Sequence, residues 1–249
     1  MKVIPLSEGS FTIDQTKLFV PFDLSRDDLG SRPAGSLLVE VQAFVVVTSR
    51  DVLLLDTGLG FADENGVMQL HNNLRKAGIN PDSITKVLLS HLHKDHSGGV
   101  SESSNRNQLS FPLATYYVQE SEYNYALEKG SPSYMPDEFR LLEQASNVVK
   151  LTEGQGFIDN YIEYQVTGAH SKFHQVFWIR ENDETIFFGA DDAPQYAQMT
   201  YRFAAKYDLD GKKAMELRTM WWAKGEEEQW TFLFYHDIKT PVYSFKKEK

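Results

Sequence analysis

Short apolar runs alternate with segments of helical periodicity along this chain of 249 residues. Residues 36–48 and 52–55 are apolar runs separated by Ser-Arg-Asp, which predicts two strands joined by a hairpin. Residues 66–77 carry apolar side chains at helical spacing, and a short strand over residues 114–119 leads into a helix over residues 120–129. The alternation of strands and helices predicts an α/β fold.

Four further apolar runs each read as a strand that ends just before side chains able to bind a metal. They are residues 86–90 before the sequence His91-Leu92-His93-Lys94-Asp95-His96, residues 161–166 before His170, residues 185–189 before Asp191 and Asp192, and residues 230–235 before His236. Strand ends that converge in this way are typical of an active-site edge, so we expect these side chains to meet.

The stretch from His91 to His96 is the most informative part of the chain. It holds three of the seven histidines and one aspartate within six residues, directly after a predicted buried strand. Imidazole nitrogens and carboxylate oxygens are ligands that Zn²⁺ and similar ions prefer, and this crowding indicates two metal ions rather than one. A lone His-x-His pair would more often reflect surface polarity, but chance does not account well for this concentration.

The order of these motifs resembles the metallo-β-lactamase superfamily. The family pattern is an Asp-Thr-Gly strand end, an HxHxDH loop, a later His, a bridging Asp and a final His, and it is matched from Asp56 to His236. The resemblance implies a four-layer αβ/βα sandwich with the metals at one edge of the sheets. It also implies two divalent metal ions, Zn or alternatively Mn, Fe or Co, with His91, His93 and His170 on one metal, Asp95, His96 and His236 on the other, and Asp191 between them.

Three assignments have an alternative. Asp191 is preferred over Asp192 as the bridging residue, although both follow the same strand. His170 is preferred over His174 as the ligand, and His174 is then expected to orient a ligand through a hydrogen bond. Asp56 either holds a ligand histidine or caps its own Thr-Gly turn.

Two residues are expected to take part in catalysis. Asp95 is expected to pass a proton to the leaving group, and Tyr196 to donate a hydrogen bond to the developing oxyanion. Residues 194–206 would then form an apolar wall of the substrate pocket. A tyrosine-rich stretch either forms a lip over the metals or packs on the sheet, which is the commoner fate of aromatic side chains; it contains Tyr116, Tyr117, Tyr123, Tyr125 and Tyr134.

Composition narrows the class of protein. A length of 249 residues with 41% hydrophobic content suits a single domain over residues 1–249. The formal net charge of −10 and the absence of a long basic run before the tail at residues 246–249 disfavour a nucleic acid partner. No membrane span or secretion signal is visible, so the cytoplasm is the default compartment. The acidic surface and the pair Trp221-Trp222 permit a homodimer, and His71 is expected to be a solvated helix residue.

The departures from better-known branches of the family favour a lactonase-like hydrolase acting on a small-molecule substrate. The chain has no cysteine, which argues against β-lactamases that use a Cys ligand. Phe234-Tyr235-His236-Asp237 resembles the closing motif of acyl-homoserine-lactone lactonases and methyl-parathion-type hydrolases. The alternative is a mononuclear-iron redox enzyme of the same fold, similar to persulfide dioxygenases. A binding protein with a structural metal is disfavoured, because seven ligands exceed the four of a closed structural site.

Overall fold

The structure is a computed structural model that describes residues 1–245, so the basic tail at residues 246–249 lies outside the described residues. The strands are β1 (Lys2–Ile13), β2 (Val20–Pro21), β3 (Leu37–Val47), β4 (Val52–Leu55), β5 (Lys86–Leu88), β6 (Ser101–Glu102), β7 (Asn105–Leu109), β8 (Thr115–Gln119), β9 (Val148–Leu151), β10 (Gln155–Ile158), β11 (Ile162–Val166), β12 (Gln175–Glu181), β13 (Glu184–Phe188), β14 (Thr231–Leu233) and β15 (Val242–Ser244). The helices are α1 (Gln69–Lys76), α2 (Lys94–Ser97), α3 (Glu120–Lys129), α4 (Pro136–Phe139), α5 (Tyr196–Thr200) and α6 (Gly211–Glu227).

The strands form two large mixed sheets and one small hairpin. The first sheet has the order β2-β1-β3-β4-β5-β8-β9, the second has the order β10-β11-β12-β13-β14-β15, and β6 pairs with β7. Strands β4 and β5 run parallel to each other, and so do β13 and β14. The carboxyl ends of each parallel pair therefore lie at one edge of their sheet, which is where the predicted polar residues follow.

Side-chain alternation along the strands builds four layers. In β13, Ile186 and Phe188 face the core between the two sheets, whereas Phe187 faces outward and lies 4.9 Å from the ring of Trp221 on α6. In β4, Leu54 likewise turns away from the inter-sheet core and packs with Leu70 of α1. Each such buried side chain contributes on the order of 2 kcal/mol of transfer free energy. The αβ/βα sandwich implied by the resemblance is confirmed.

Most predicted elements are present within a few residues, and helix α1 shows why boundaries shift. The pattern predicts a helix from residue 66, but α1 begins at Gln69. The Oδ1 atom of Asp63 accepts hydrogen bonds from the backbone N–H groups of Asn65 and Val67. This local turn competes with the helix and delays its start.

The expectation that His71 is solvated is wrong. His71 is buried, with its Nε2 atom 2.9 Å from the carbonyl oxygen of Ser110 and its ring centre 5.1 Å from that of Phe111. Helix α1 turns this residue toward the segment after β7, which the helical spacing alone could not reveal.

No helix within residues 1–245 combines the length and apolar character needed to cross a membrane.

Candidate metal centre

Seven side chains from both sheets meet at the carboxyl ends of the strands, and we call them the cage. They form two groups, and within each group the metal-binding atoms lie within 4.8 Å of one another. The first group is His91, His93, His170 and Asp191, and the second is Asp95, His96 and His236. The first sheet contributes the four residues that follow β5, and the second sheet contributes the three that follow β11, β13 and β14.

Asp191 lies between the two groups. Its Oδ2 atom is 3.1 Å from Nε2 of His170 and 3.9 Å from Nε2 of His91. Its Oδ1 atom is 3.1 Å from Nε2 of His96 and 2.9 Å from Nε2 of His236. One carboxylate therefore offers one oxygen to each group.

Asp56 fixes the orientation of two histidines of the cage. The carboxylate can only accept, so His96 donates its Nδ1–H to Oδ2 of Asp56 over 2.8 Å. Ser90 donates its backbone N–H and its hydroxyl to the same carboxylate, each over 2.7 Å, and the Ser90 hydroxyl oxygen lies 3.0 Å from Nδ1 of His91. The outer nitrogens are thus occupied, and both rings turn Nε2 inward.

The same arrangement recurs in the second sheet. Nδ1 of His170 is 2.9 Å from Oδ1 of Asp208, and Nδ1 of His236 is 2.6 Å from the carbonyl oxygen of Glu40. Both partners are acceptors, so each imidazole carries a proton on Nδ1 and directs Nε2 into the cage.

A tight turn after β4 presses against the loop that carries Asp95 and His96. A Cβ atom added to Gly60 would lie 2.1 Å from the carbonyl oxygen of Gly98, so these backbones approach too closely for any other residue. Gly58, at φ +71°, would place a Cβ atom 2.4 Å from Oε2 of Glu8.

Glu8 supports this turn from behind the cage. Its Oε2 atom accepts the backbone N–H of Leu59 over 2.6 Å. Its side chain is buried, and its Oε1 atom has no hydrogen-bond partner among residues 1–245. Burial, reinforced by the charge of Asp95, raises the pKa of Glu8 to about 8 although the Leu59 hydrogen bond opposes this.

The histidines of the cage differ in protonation before a metal ion binds. Burial and the neighbouring imidazoles hold the pKa of His91 and of His93 well below the usual range, so both rings are neutral at pH 7 and keep a lone pair to donate. Burial would raise the pKa of Asp191, but His236, His96 and His170 outweigh it and hold that pKa well below its usual range. Burial would lower the pKa of these three histidines, but Asp191 and the other nearby carboxylates outweigh it and raise the pKa of each, so a cation that binds here would displace their second proton. Asp191 is therefore ionised at pH 7 and can offer one carboxylate oxygen to each group.

The residues present fit a pair of divalent cations. Nε2 of His96 and Oδ1 of Asp191 are buried without a hydrogen-bond partner among the described residues. Nε2 of His91 and Nδ1 of His93 face each other at 3.0 Å, and at most one of them could supply a proton. Inward lone pairs with outward nitrogens already bonded are the donor set that Zn²⁺ and similar ions bind.

Asp192 and His174 support the cage from outside. His174 lies with Nδ1 3.1 Å from Oδ2 of Asp192, and its Nε2 accepts the backbone N–H of Asp191 over 3.3 Å. Oδ1 of Asp192 accepts the backbone N–H of His170 over 2.7 Å. The structure therefore brings Asp191 and His170 into the cage and leaves Asp192 and His174 behind it.

Tyr196, expected to act as an oxyanion donor, lies elsewhere. Its ring packs against Trp222, Phe234 and Tyr243 at centroid distances of 5.7, 6.1 and 5.0 Å. The backbone N–H of Tyr196 bonds to Oδ2 of Asp237 over 2.9 Å, which fixes the start of α5 with the ring directed into this aromatic cluster. The catalytic role expected of Tyr196 is corrected accordingly.

A cavity of about 1240 Å³ opens above the cage, and five of the seven cage residues line it: His93, Asp95, His170, Asp191 and His236. Tyr134 and Tyr125 line it too, and the Tyr134 ring lies 4.7 Å from that of His93. Tyr116 and Tyr123 are buried in the core instead. Tyr125 and Tyr134 of the tyrosine-rich stretch therefore lie at the cavity, whereas Tyr116 and Tyr123 pack in the core.

Tyr207 and Asp208 are functional candidates that the sequence did not indicate. Tyr207 lines the cavity with its ring 6.2 Å from that of His170, and Asp208 holds the outer nitrogen of His170. Both lie in an irregular segment between α5 and α6, where no strand end marks them. Glu122, which accepts the backbone N–H of Leu92 over 3.1 Å beneath the ligand loop, was missed for a similar reason: it reads as an ordinary helix residue.

Comparison with known proteins gives a family match and several partial relatives. The model of the metallo-beta-lactamase superfamily matches residues 38–218. The atrochrysone carboxyl ACP thioesterase of Passalora fulva is 36% identical over 74 residues, which is 30% of this chain and 21% of that protein. The N-acyl homoserine lactonase AttM of Agrobacterium fabrum is 38% identical over 133 residues, 49% of this chain and 46% of that protein. The chain thus spans less than half the length of these curated relatives.

Solved structures are similar over nearly the whole chain. A probable metal-dependent hydrolase from Staphylococcus aureus superposes with a TM-score of 0.79 at 19% identity, covering 98% of this chain and 92% of that one. The dizinc quorum-quenching lactonase AidC, solved with a reaction product, gives a TM-score of 0.73 at 20% identity over 99% and 90% of the two chains. At such low identity these likenesses show the fold alone.

Proposed function

The chain belongs to the metallo-β-lactamase superfamily, and from this premise we propose that it is a dinuclear metal-dependent hydrolase of small esters or lactones. The observation that carries the proposal is Asp191, whose two oxygens each lie 3.1 Å or less from imidazoles of opposite groups. One oxygen directed at each group is the arrangement that a carboxylate shared by two cations requires. The lactonase named among the partial relatives supports the choice of substrate class.

The expected metal is zinc, with manganese, iron or cobalt as alternatives, because His and Asp donors suit all four. When bound, a pair of such cations would lower the pKa of a water molecule from ~15.7 toward 7 and act as a Lewis acid toward the substrate carbonyl. The residues of the chain position the substrate and move the protons.

Asp95 is the proposed proton carrier. Its Oδ2 atom lies 3.6 Å from Nε2 of His96 and 3.5 Å from Nε2 of His236, and the residue lines the cavity. A carboxylate there is able to take a proton from the attacking water and deliver it to the departing alkoxide.

Tyr207 is the proposed hydrogen-bond donor to the carbonyl oxygen of the substrate. Its hydroxyl accepts the Nε2–H of Gln198 over 3.2 Å, and no acceptor for its own proton lies among residues 1–245. Burial raises the pKa of Tyr207 to about 12, so the phenol keeps its proton at pH 7 and donates it toward the cavity.

The test combines elemental analysis of protein purified without added metal with a pH-indicator assay on lactones, esters, thioesters and phosphoesters. We expect two divalent ions per chain and acid release on lactones or esters. Asp191→Ala should lose bound metal and lower the rate by more than about 100-fold, since outer partners of metal ligands alone cost 10–100-fold. The exposed Asp183→Ala is the matched control and should change neither quantity.

Two outcomes would contradict the proposal. Metal-loaded protein with no turnover on any of the four substrate classes would exclude a hydrolase of this kind. One iron per chain with oxygen consumption would instead support the redox alternative, a mononuclear-iron enzyme of the same fold.

A further inference from the structure

The outer wall of the cavity is unusually basic for this protein. Five lysines line it, which we call the lysine rim: Lys17, Lys94, Lys129, Lys172 and Lys206. The chain as a whole has 35 acidic and 25 basic residues. The lining carboxylates are Asp95 and Asp191 of the cage, Asp208, which is bonded to His170, and Asp14. Only Asp14 is left to offset the five ammonium groups. The rim is therefore positively charged, whereas the chain as a whole is negatively charged.

Two of these lysines are brought to one aromatic ring from different parts of the chain. Lys129, at the end of α3, and Lys172, just after His170, place Nζ 5.3 and 5.5 Å from the centre of the Tyr125 ring. Lys172 is also 5.2 Å from the Phe173 ring. The ring faces attract both cations, but the two like charges oppose each other.

No carboxylate among residues 1–245 lies within 4 Å of any rim ammonium group. Lys94, at the start of α2, donates to the backbone carbonyl oxygen of Lys17 and lies 5.6 Å from the Phe19 ring. The carbonyl and the ring do not neutralise this ammonium group, on which Asp95 and Glu138 act only from beyond ion-pair distance. An anion that enters the cavity would therefore meet cations already gathered and free to pair with it.

This step rests on the proposed function and specifies its substrate. We propose that the substrate carries a carboxylate or phosphate group, held by the lysine rim, at the opposite end from the carbonyl that reaches the cage. Apolar lining residues such as Phe19, Leu38 and Phe203 would contact the chain that joins the two ends.

The kinetic test uses paired substrates of several lengths. Phenyl half-esters of butanedioic, hexanedioic and octanedioic acid carry a free carboxylate, and their methyl-capped counterparts are neutral. At about 10 mM salt we expect kcat/KM to favour the charged member about tenfold or more for at least one length. The preference should fall as salt approaches about 0.3 M, because salt screens exposed charges. A neutral member that reacts equally fast or faster at every length would overturn the inference.

A triple variant tests whether the rim causes the preference. Lys129→Gln, Lys172→Gln and Lys206→Gln together should lower the charged-to-neutral ratio about tenfold, since each exposed ion pair contributes a factor of roughly 1.5 to 5. The matched control is Lys76→Gln, Lys212→Gln and Lys213→Gln, which removes the same three charges from exposed positions outside the cavity lining. An equal loss in both triple variants would assign the effect to net charge and refute the rim.

A binding measurement separates this inference from the proposed hydrolysis. By calorimetry, with and without added metal, monomethyl hexanedioate should bind the wild type several-fold more tightly than the neutral dimethyl ester, and this difference should shrink in the rim variant. The measurement needs no turnover. Unequal binding without hydrolysis would reject the hydrolase and keep the anion site, whereas hydrolysis with equal binding would reject only the anion site.

Discussion

The cage and the lysine rim line the same cavity but are built in opposite ways. In the cage, each of the four imidazoles at positions 91, 96, 170 and 236 has its outer nitrogen near a buried hydroxyl, carboxylate or carbonyl oxygen. The rim consists of partly or fully exposed lysines, three on loops, one at the start of α2 and one at the end of α3. Fixed geometry serves the reacting atoms, whereas mobile charges suffice to select and attract a ligand.

The largest expected effect is on the pH dependence of stability, and it tests whether the Glu8 side chain behind the cage is buried as the structure shows. Glu8 has its pKa raised from 4.5 to about 8, so the folded protein retains a proton that the unfolded chain releases between these values. Stability is therefore full below pH 4.5 and falls as pH rises toward 8, by a few kcal/mol.

The measurement is urea unfolding of chelator-treated protein between pH 5 and pH 8. Glu8→Gln keeps the acceptor for Leu59 without a charge, so it should remove this part of the decline, about a 100-fold change in the unfolding constant at pH 8 relative to wild type. Glu64→Gln, at an exposed position, should follow the wild type. A wild type whose pH profile matches that of Glu8→Gln would show that the turn behind the cage is not desolvated.

The next effect tests the one connection between the two regions. Asp208 belongs to the wall of the cavity yet holds Nδ1 of His170 at 2.9 Å. Asp208→Asn should lower metal affinity by about 10–100-fold. The carboxylate fixes the imidazole of His170 and raises its basicity, and the neutral amide does neither as well. Competition with a metal chelator measures this affinity, and exposed Asp183→Asn is the control. An unchanged affinity would mean that wall and cage are independent.

The smallest effect separates two tyrosines. Tyr207→Phe should lower kcat about tenfold with little change in metal content, because it removes one donor to the carbonyl oxygen. Tyr196→Phe should change kcat less than twofold, since that ring lies in the aromatic cluster with Trp222 and Tyr243. Steady-state kinetics on the best ester decides between them, and the reverse ranking would return the role to Tyr196.

The contrast also explains what the sequence could and could not reveal. The positions that converge in the cage follow strands, and strand ends are visible as apolar runs before polar residues. Strands β3, β4 and β8 and helix α3 were predicted within one residue at each end for the same reason. Local periodicity specifies these elements, and the order of motifs specifies the family.

The wall of the cavity carries no such local signal. Asp208 and Tyr207 lie in an irregular segment, and the lysines of the rim come from five separate segments with no shared spacing. Tyr196 was misplaced because the direction of a ring at the start of α5 depends on its tertiary contact with Asp237, 41 residues away. Long-range packing, rather than propensity, decides such positions.

The division of the cage between two sheets has a mechanical consequence. Residues 91–96 are anchored to one sheet, and residues 170, 191 and 236 to the other. Each of the two groups draws ligands from both sheets, so an ion bound in either group would link the two halves of the sandwich, and this link would be lost when the halves separate. The free energy of unfolding would then increase with the concentration of that ion, by about 4 kcal/mol when the ion is in thousandfold excess over its dissociation constant.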